Sequence, residues 1–101
     1  MTAIRPSLNG LYVLIAVNNR QLHAYGIYQD VRLLSEYDVL PSRATIKRIL
    51  DRYVAYGWLE ADTFEAPVRY LLTELGRKHA RNHVRTLEQA VRIAKTNLLL
   101  Q

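Results

Sequence analysis

The sequence predicts a mainly α-helical fold with one small β-hairpin, in the order of three helices, the hairpin and a long last helix. Three observations lead to this prediction. Ser42 to Glu60 has the end signals and the apolar periodicity of one amphipathic helix that runs into a strand. Further along, WLEAD and VRYLL alternate apolar and polar residues around a short TFEAP link, as the two strands of a hairpin do. From Glu74 onward, apolar residues recur at heptad spacing without a proline.

The helix predicted from Ser42 to Tyr56 has marked ends. Ser42 follows Pro41, and its hydroxyl can accept a hydrogen bond from a backbone N–H of the first turn. Gly57 follows the helix, where glycine adopts the left-handed conformation at little steric cost. One face of the helix is apolar and consists of Ile46, Ile49, Leu50, Tyr53 and Val54.

The opposite face of this helix is basic. Its four cations are Arg43, Lys47, Arg48 and Arg52. Asp51 is its single anion, so the net charge of this face is 4 − 1 = +3. A basic amphipathic helix that leads directly into a strand is typical of the DNA-reading helix of a winged helix-turn-helix. A solvated surface helix accounts for the same pattern equally well.

Length and charge limit the class of protein. A chain of 101 residues holds one small domain, and a domain of this size is marginal alone, which favours an added dimer interface. Fourteen Lys and Arg against nine Asp and Glu give a net charge of +5, which favours an anionic partner such as nucleic acid. The sequence has no run of about 18 apolar residues, no secretory signal pattern and no cysteine. We therefore expect a cytoplasmic protein without a membrane span, a disulfide or a thiolate metal site.

Two helices are predicted before the basic one. Leu8 to Val17 is densely apolar, which fits a buried helix that Gly10 weakens slightly. Asn18 to Arg20 break the pattern, and apolar residues at helical spacing resume from Leu22 to Leu34.

The last predicted helix starts after Thr73, which can cap its first turn, and continues to about Leu100. At about 1.5 Å per residue it is about 40 Å long, so it overhangs a domain this small. We expect the overhang to pair with a second copy of the chain, although part of the helix can pack on the first helix of its own domain. The predicted seam of this dimer interface consists of Ala80, Val84, Leu87, Val91, Ala94 and Leu98. Charged residues occupy the other faces: Glu74, Arg77, Lys78, Arg81, Arg85, Glu88, Arg92 and Lys95.

The sequence resembles the PadR-like transcriptional regulators over most of its length. LHAYGI, from Leu22 to Ile27, is similar to the LHGYEI-type start of that family's second helix. SRATIKRILDRYVAYGWLE is similar to the family's third helix, and VRYLLTELGRKHARN is similar to its wing strand and the Gly-Arg that follows. The resemblance implies a winged helix-turn-helix DNA-binding domain over residues 1–73 and a dimerisation helix over residues 74–101, as in the shorter members of the family.

The chain departs from the family pattern at the third helix and at the wing. The family usually has Tyr where this chain has Lys47. Family wings often carry Lys or Arg, whereas this loop has Asp62 and Glu65, with Arg69 nearby. Because an acidic wing repels phosphates, we expect its contact with the minor groove to be weak or absent.

The resemblance also implies a function, that of a homodimeric, sequence-specific double-stranded DNA-binding transcriptional regulator, and in particular a repressor. Two copies of the third helix would enter successive major grooves about one helical turn apart. Residues near the start of this helix would meet base edges, and those further along would meet phosphates or more distant bases. The expected DNA-binding residues are Tyr25, Ser42, Arg43, Thr45, Lys47, Arg48, Arg52 and Arg69.

Two aromatic residues have more than one expected role. Tyr25 can donate a hydrogen bond to a phosphate or pack in the core with its hydroxyl at the rim, and the sequence favours neither. Trp58 is expected in the core. Since small regulators of the PadR-like family can bind aromatic compounds between subunits, a small aromatic effector is a further candidate partner, with Trp58 as its contact.

Other functions have less support. A winged-helix adaptor for plasmid or phage DNA segregation needs the same basic helix and dimer, so the sequence does not separate it from a regulator. A winged-helix protein-interaction module without DNA binding is favoured by the acidic wing and disfavoured by the basic helix. Catalysis has no support, because the sequence contains no Gly-rich phosphate loop, no paired carboxylates at useful spacing and no Ser-His-Asp set. His79 and His83 lie four residues apart without a third ligand beside them, so we expect neither a metal nor a cofactor.

Overall fold

The elements of the protein follow the predicted order. The computed structural model describes residues 5–19 and 23–99. Its elements are α1 (Leu8–Asn18), α2 (Ala24–Leu34), α3 (Arg43–Ala55), β1 (Leu59–Asp62), β2 (Arg69–Leu72) and α4 (Glu74–Ala94), which a π-helical turn, Lys95–Leu99, extends. The prediction of a mainly α-helical fold with a small hairpin and a long last helix is confirmed. The predicted start of the second helix at Leu22 lies outside the described residues.

α1 lies at the centre of the core. Its side chains are apolar on nearly every face, and a helix of this kind is stable only when neighbouring elements surround it. α2 and α3 pack on it, and β2 and part of α4 lie against its other sides. The buried apolar side chains are Leu11, Val13, Leu14, Ala16, Val17, Ile27, Val31, Ile46, Ile49, Leu50, Tyr53, Trp58, Leu59 and Tyr70.

Gly10 allows α1 and α3 to approach closely. A Cβ atom at this position would overlap the hydroxyl of Tyr53 in α3 and would lie 2.7 Å from its Cζ. The backbone N–H of Gly10 also donates to Oγ of Ser7, the N-cap of α1, at 3.0 Å. The sequence indicated only that Gly10 weakens its helix, whereas the contact with Tyr53 requires a residue without a side chain.

α2 and α3 both end in the same hydrogen-bonded motif. At the end of α2, the N–H of Tyr37 donates to the carbonyl of Arg32 at 2.7 Å, and Glu36 adopts the left-handed conformation with φ of 53°. At the end of α3, the N–H of Trp58 donates to the carbonyl of Tyr53 at 2.9 Å, and Gly57 has φ of 80°. These bonds satisfy carbonyls that the helix leaves free. The predicted role of Gly57 is therefore confirmed.

Thr73, which lies between β2 and α4, forms hydrogen bonds with the chain segment that connects α3 to β1. Its Oγ1 accepts the N–H of Gly76 at 3.0 Å, as predicted for the cap of α4, and donates to the carbonyl of Gly57 at 2.6 Å. Gly76 lies so close to the chain after α3 that a Cβ atom there would overlap the carbonyl oxygen of Trp58. The start of α4 therefore lies directly against the residues that follow α3.

Candidate nucleic-acid interface

α3 begins as the sequence predicts. Ser42 has the extended backbone of an N-cap residue, and its Oγ accepts the N–H of Thr45 at 3.0 Å. The same hydroxyl donates to Oγ1 of Thr45, also at 3.0 Å. The two side chains hold each other at the exposed start of the helix, where free N–H groups and the helix dipole favour an anion.

The apolar and basic faces of α3 are separated as predicted. Four of its apolar side chains are buried, and Val54 is partly buried. The exposed cations are Arg43, Lys47, Arg48 and Arg52. Within residues 5–19 and 23–99, Arg48 and Arg52 have no ion-pair partner, so their full charges face solvent.

Arg43 lies against the start of α2. Its guanidinium carbon is 4.6 Å from the ring centroid of Tyr25 and 5.7 Å from that of Tyr28. A cation is attracted to an aromatic face at these distances. Tyr25 is 53% exposed, so the contact lies at the surface. A guanidinium that stacks through its face keeps the N–H donors at its edge for another partner.

Two further α2 side chains support this contact. Nε2 of Gln29 donates to the hydroxyl of Tyr25 at 3.1 Å. Nη1 of Arg32 donates to the hydroxyl of Tyr28 at 3.2 Å, and the Arg32 guanidinium carbon lies 5.0 Å from the centroid of that ring. The sequence prediction missed Tyr28, Gln29 and Arg32. Tyr28 and Gln29 lie one helical turn from Tyr25, and Arg32 lies one turn from Tyr28, so this spacing was the available signal.

Lys47 is engaged within α3. Its Nζ lies 2.5 Å from Oδ1 of Asp51, one turn along the helix. This hydrogen bond is the main cause that raises the pKa of Lys47 above its ordinary value. The carboxylate nevertheless offsets part of the attraction that Lys47 exerts on a phosphate. Within the described residues, no carboxylate offsets the charges of Arg48 and Arg52 in this way.

The hairpin that follows α3 is acidic. Asp62 and Arg69 lie opposite each other in its antiparallel register. Oδ1 of Asp62 accepts the N–H of Phe64 at 3.0 Å, and the Phe64 side chain is 91% exposed. Glu60, Asp62 and Glu65 are exposed against the single cation Arg69, a net charge of 1 − 3 = −2 for the hairpin. A surface of this charge does not attract phosphates.

The predicted seam of α4 changes character along the helix. Ala80 packs on the core, and Ala94 is partly buried. The large members of the seam, Val84, Leu87, Val91 and Leu98, are exposed. Grooves of about 480 and 520 Å³ run beside them, the first between α1 and α4 and the second along α4 itself. Exposed apolar residues at heptad spacing need a partner surface.

Trp58 lies in the core, as predicted. It is 2% exposed, and its ring centroid is 4.7 Å from that of Tyr53 and 4.8 Å from that of His79, so side chains of its own chain enclose the ring.

His83 has a buried Nδ1 without a hydrogen-bond partner in the described residues. No group of three or more His, Cys, Asp or Glu in residues 5–19 and 23–99 could hold a metal ion.

Three helices, a hairpin after the third and a long last helix define a winged helix-turn-helix fold. Solved structures with this arrangement include a transcriptional regulator from Clostridium thermocellum, at 15% identity over 89% of each chain and a TM-score of 0.78. TA0346 from Thermoplasma acidophilum is 21% identical over 93% of each chain, with a TM-score of 0.72. BpsR from Bordetella bronchiseptica, whose DNA binding is regulated by 6-hydroxynicotinic acid, is 18% identical over 97% of this chain and 71% of its own, with a TM-score of 0.69.

These likenesses establish the fold and leave the family as a prediction. The sequence matches no protein-family model and no curated protein. Among the helices of residues 5–19 and 23–99, none is both long enough and apolar enough to cross a membrane.

Proposed function

We propose that this protein is a homodimeric, sequence-specific double-stranded DNA-binding regulator of transcription, related to the PadR-like regulators, that acts as a repressor in the cytoplasm. The observation that carries the proposal is the exposed basic face of α3, on a fold whose third helix enters the major groove. The unpaired charges of Arg48 and Arg52 in the described chain support a contact with phosphates.

The residues of the interface divide into two roles. Arg43 and Thr45 lie in the first turn of α3, where a side chain meets base edges, and the stack of Arg43 on Tyr25 supports this role. Lys47, Arg48 and Arg52 bind phosphates or bases further along the groove. Ser42 fixes the start of the helix, and Arg69 is the one cation that the hairpin offers to a minor groove.

The proposed dimer places residues 1–73 on the DNA and pairs residues 74–101 of two copies. The exposed part of the α4 seam supports this pairing, because its large apolar residues lie in one line and are exposed in the described part of a single chain. A two-fold dimer sets the two α3 helices on half-sites about one helical turn apart, roughly 34–36 Å. The operator is therefore a palindrome or close to one.

A small aromatic effector is a further proposed partner. Support comes from BpsR, which shares the fold and whose DNA binding responds to 6-hydroxynicotinic acid. The buried position of Trp58 makes an indirect role of this residue more suitable than direct contact with an effector.

A DNA-binding titration tests the proposal. The purified protein is titrated on its own upstream DNA and on random duplex at two salt concentrations, beside the variant Arg48→Ala/Arg52→Ala. The charge-retaining variant Arg48→Lys/Arg52→Lys is the matched control. We expect tight, selective and salt-dependent binding of the upstream DNA, which the alanine variant loses and the lysine variant keeps in large part. Equal, weak binding of both duplexes would contradict autoregulation, and no binding at low salt would contradict DNA binding itself.

The hairpin favours a second candidate function, a winged-helix module that binds another protein. Its exposed Phe64 among Glu60, Asp62 and Glu65 fits a basic and apolar protein surface better than a phosphate backbone. The same titration separates the two functions, since this module would not bind DNA even at low salt.

A further inference from the structure

Most of the net positive charge of the chain lies in residues 74–101 and not in the DNA-reading domain. Residues 1–73 contain 8 basic and 7 acidic residues, a net charge of +1, whereas residues 74–101 contain 6 basic and 2 acidic residues, a net charge of +4. The basic face of α3 is therefore balanced by acidic residues elsewhere in its own domain. Four of the five net positive charges of the protein therefore lie in the segment assigned to dimerisation.

The cations of α4 share one side of the helix. Lys78, Arg85 and Arg92 are spaced seven residues apart, so they lie nearly above one another at intervals of about 10.5 Å. Arg81 and Lys95 flank this line. We call these five residues the α4 stripe. All five are exposed, and none forms an ion pair within the described residues.

Three of the five residues of the α4 stripe lie on the outer side of the helix, whereas Arg81 and Lys95 border the seam. In the heptad that places Val84 and Val91 on the seam, Lys78, Arg85 and Arg92 occupy the outer position next to a seam residue, which faces solvent in a two-helix pair. A second copy of the chain on the seam would therefore leave these three cations uncovered. The dimer would carry two such stripes.

The stripe is long enough to face several phosphates of one DNA strand. From Lys78 to Lys95 it covers about 26 Å of helix axis, over which one DNA strand presents about seven phosphates at about 3.4 Å each. A basic amphipathic helix also suits an anionic membrane surface. α4 has no Trp, Phe or Tyr, which such helices use to enter the lipid interface, so the residues favour DNA.

We propose that the α4 stripe is a second DNA-binding surface that binds the phosphates of the duplex flanking the segment bound by α3. This inference rests on the proposed DNA-binding function and adds a contact that the winged helix itself does not make. It also gives a role to the net charge of +4 at residues 74–101, which dimerisation does not require.

Binding to two lengths of random duplex tests the stripe. A duplex of about 20 base pairs holds two half-sites one helical turn apart, and one of about 40 base pairs adds flanks. The test variant is Lys78→Gln/Arg85→Gln/Arg92→Gln, and its charge-retaining control is Lys78→Arg/Arg85→Lys/Arg92→Lys. All three side chains are exposed, so we expect unchanged thermal unfolding in both variants.

The expected result is a loss that depends on duplex length. On the longer duplex, each stripe loses three phosphate contacts. For each stripe that binds, the slope of log affinity against log salt falls by about 2.7, and the affinity ratio between about 50 and 200 mM salt falls by about 40-fold. On the shorter duplex, the glutamine variant binds like the unmodified protein. The charge-retaining control binds like the unmodified protein on both duplexes. Equal slopes for all three proteins on the longer duplex would overturn the inference, as would an equal loss on both lengths.

The α3 variant Arg48→Ala/Arg52→Ala separates this inference from the proposed function. If Arg48→Ala/Arg52→Ala weakens binding to both duplexes while the glutamine variant has no effect, only the proposal of a second DNA-binding surface is wrong. If the unmodified protein binds neither duplex, both proposals fall. Binding to phosphatidylserine vesicles that the glutamine variant loses, with no change in DNA binding, would assign the stripe to a membrane surface and overturn the inference.

Discussion

The guanidinium of Arg43 lies over the ring of Tyr25, 4.6 Å from its centroid, and this contact joins the start of α3 to the start of α2. Tyr25 in turn accepts a hydrogen bond from Gln29 on its own helix. The sequence left two roles open for Tyr25, a phosphate contact through its hydroxyl or a place in the core. The contact with Arg43 supports a third role, in which the ring positions the arginine that we propose as a base contact.

Replacement of the Tyr25 ring tests this positioning role. Tyr25→Leu removes the cation–π contact, which is worth about 0.5–1 kcal/mol at an exposed site, so we expect specific DNA binding to weaken by about 2- to 5-fold. Non-specific binding should hardly change. Tyr25→Phe keeps the ring and should bind like the unmodified protein in the same titration. Equal losses in the two variants would instead assign the hydroxyl to a phosphate.

Arg43 and Lys47 should respond differently to truncation. We expect Arg43→Ala to weaken specific binding more than non-specific binding, because a base contact is lost. Lys47→Ala should weaken both by a similar factor, because a phosphate contact carries no sequence information. Titrations of both variants on upstream and random duplex measure the two ratios. A uniform loss for both variants would remove this assignment of roles.

Removal of the Asp51 charge should strengthen DNA binding. Asp51 holds Lys47 at 2.5 Å and offsets its charge. Asp51→Asn therefore frees Lys47 for phosphate. We expect a higher affinity for any duplex and a salt slope that is steeper by up to about 0.9 for each copy of Lys47 on the DNA. The double variant Lys47→Gln/Asp51→Asn is the control and should show no such increase in slope. An unchanged affinity for Asp51→Asn would place Lys47 away from the DNA.

The sequence predicts α3 from local signals, whereas it does not predict the contacts between helices. The cap at Ser42, the end at Gly57 and the apolar periodicity are all signals within one turn or one helix. The stack of Arg43 on Tyr25 depends on how α2 meets α3, which no local pattern encodes. Lys47 and Asp51 have the i,i+4 spacing of a helical ion pair, so the sequence predicts this pair. The net charge of the face alone does not reveal it.

Gly10 shows the same limit in the core. Propensity alone assigns it a small cost in helix stability, of about 1 kcal/mol relative to Ala. The reason for glycine at this position is Tyr53, a residue far along the chain that packs against it only in the folded protein. Long-range packing therefore reverses the sign of the effect that the sequence suggested.

Gly10→Ala should destabilise the protein in spite of the gain in helix propensity. The new Cβ would overlap the hydroxyl of Tyr53, and overpacking of this kind costs about 1–3 kcal/mol. Urea unfolding of Gly10→Ala, Tyr53→Phe and the double variant measures the free energies of unfolding. Because Phe lacks the overlapping hydroxyl, the alanine should cost less in the Tyr53→Phe background. A stabilising Gly10→Ala would show that α1 and α3 do not approach as described.

Two residues of α4 with equal exposure test the proposed dimer. Val91 and Ile93 are both 52% exposed, but only Val91 belongs to the seam. Val91→Lys places a charge inside a two-helix interface, where burial without a partner is costly, so we expect the dimer to dissociate. Ile93→Lys places the same charge on another face of the same helix and should leave the dimer intact. Sedimentation equilibrium measures the mass of each variant, and dissociation by both or by neither would show that the seam is not the interface.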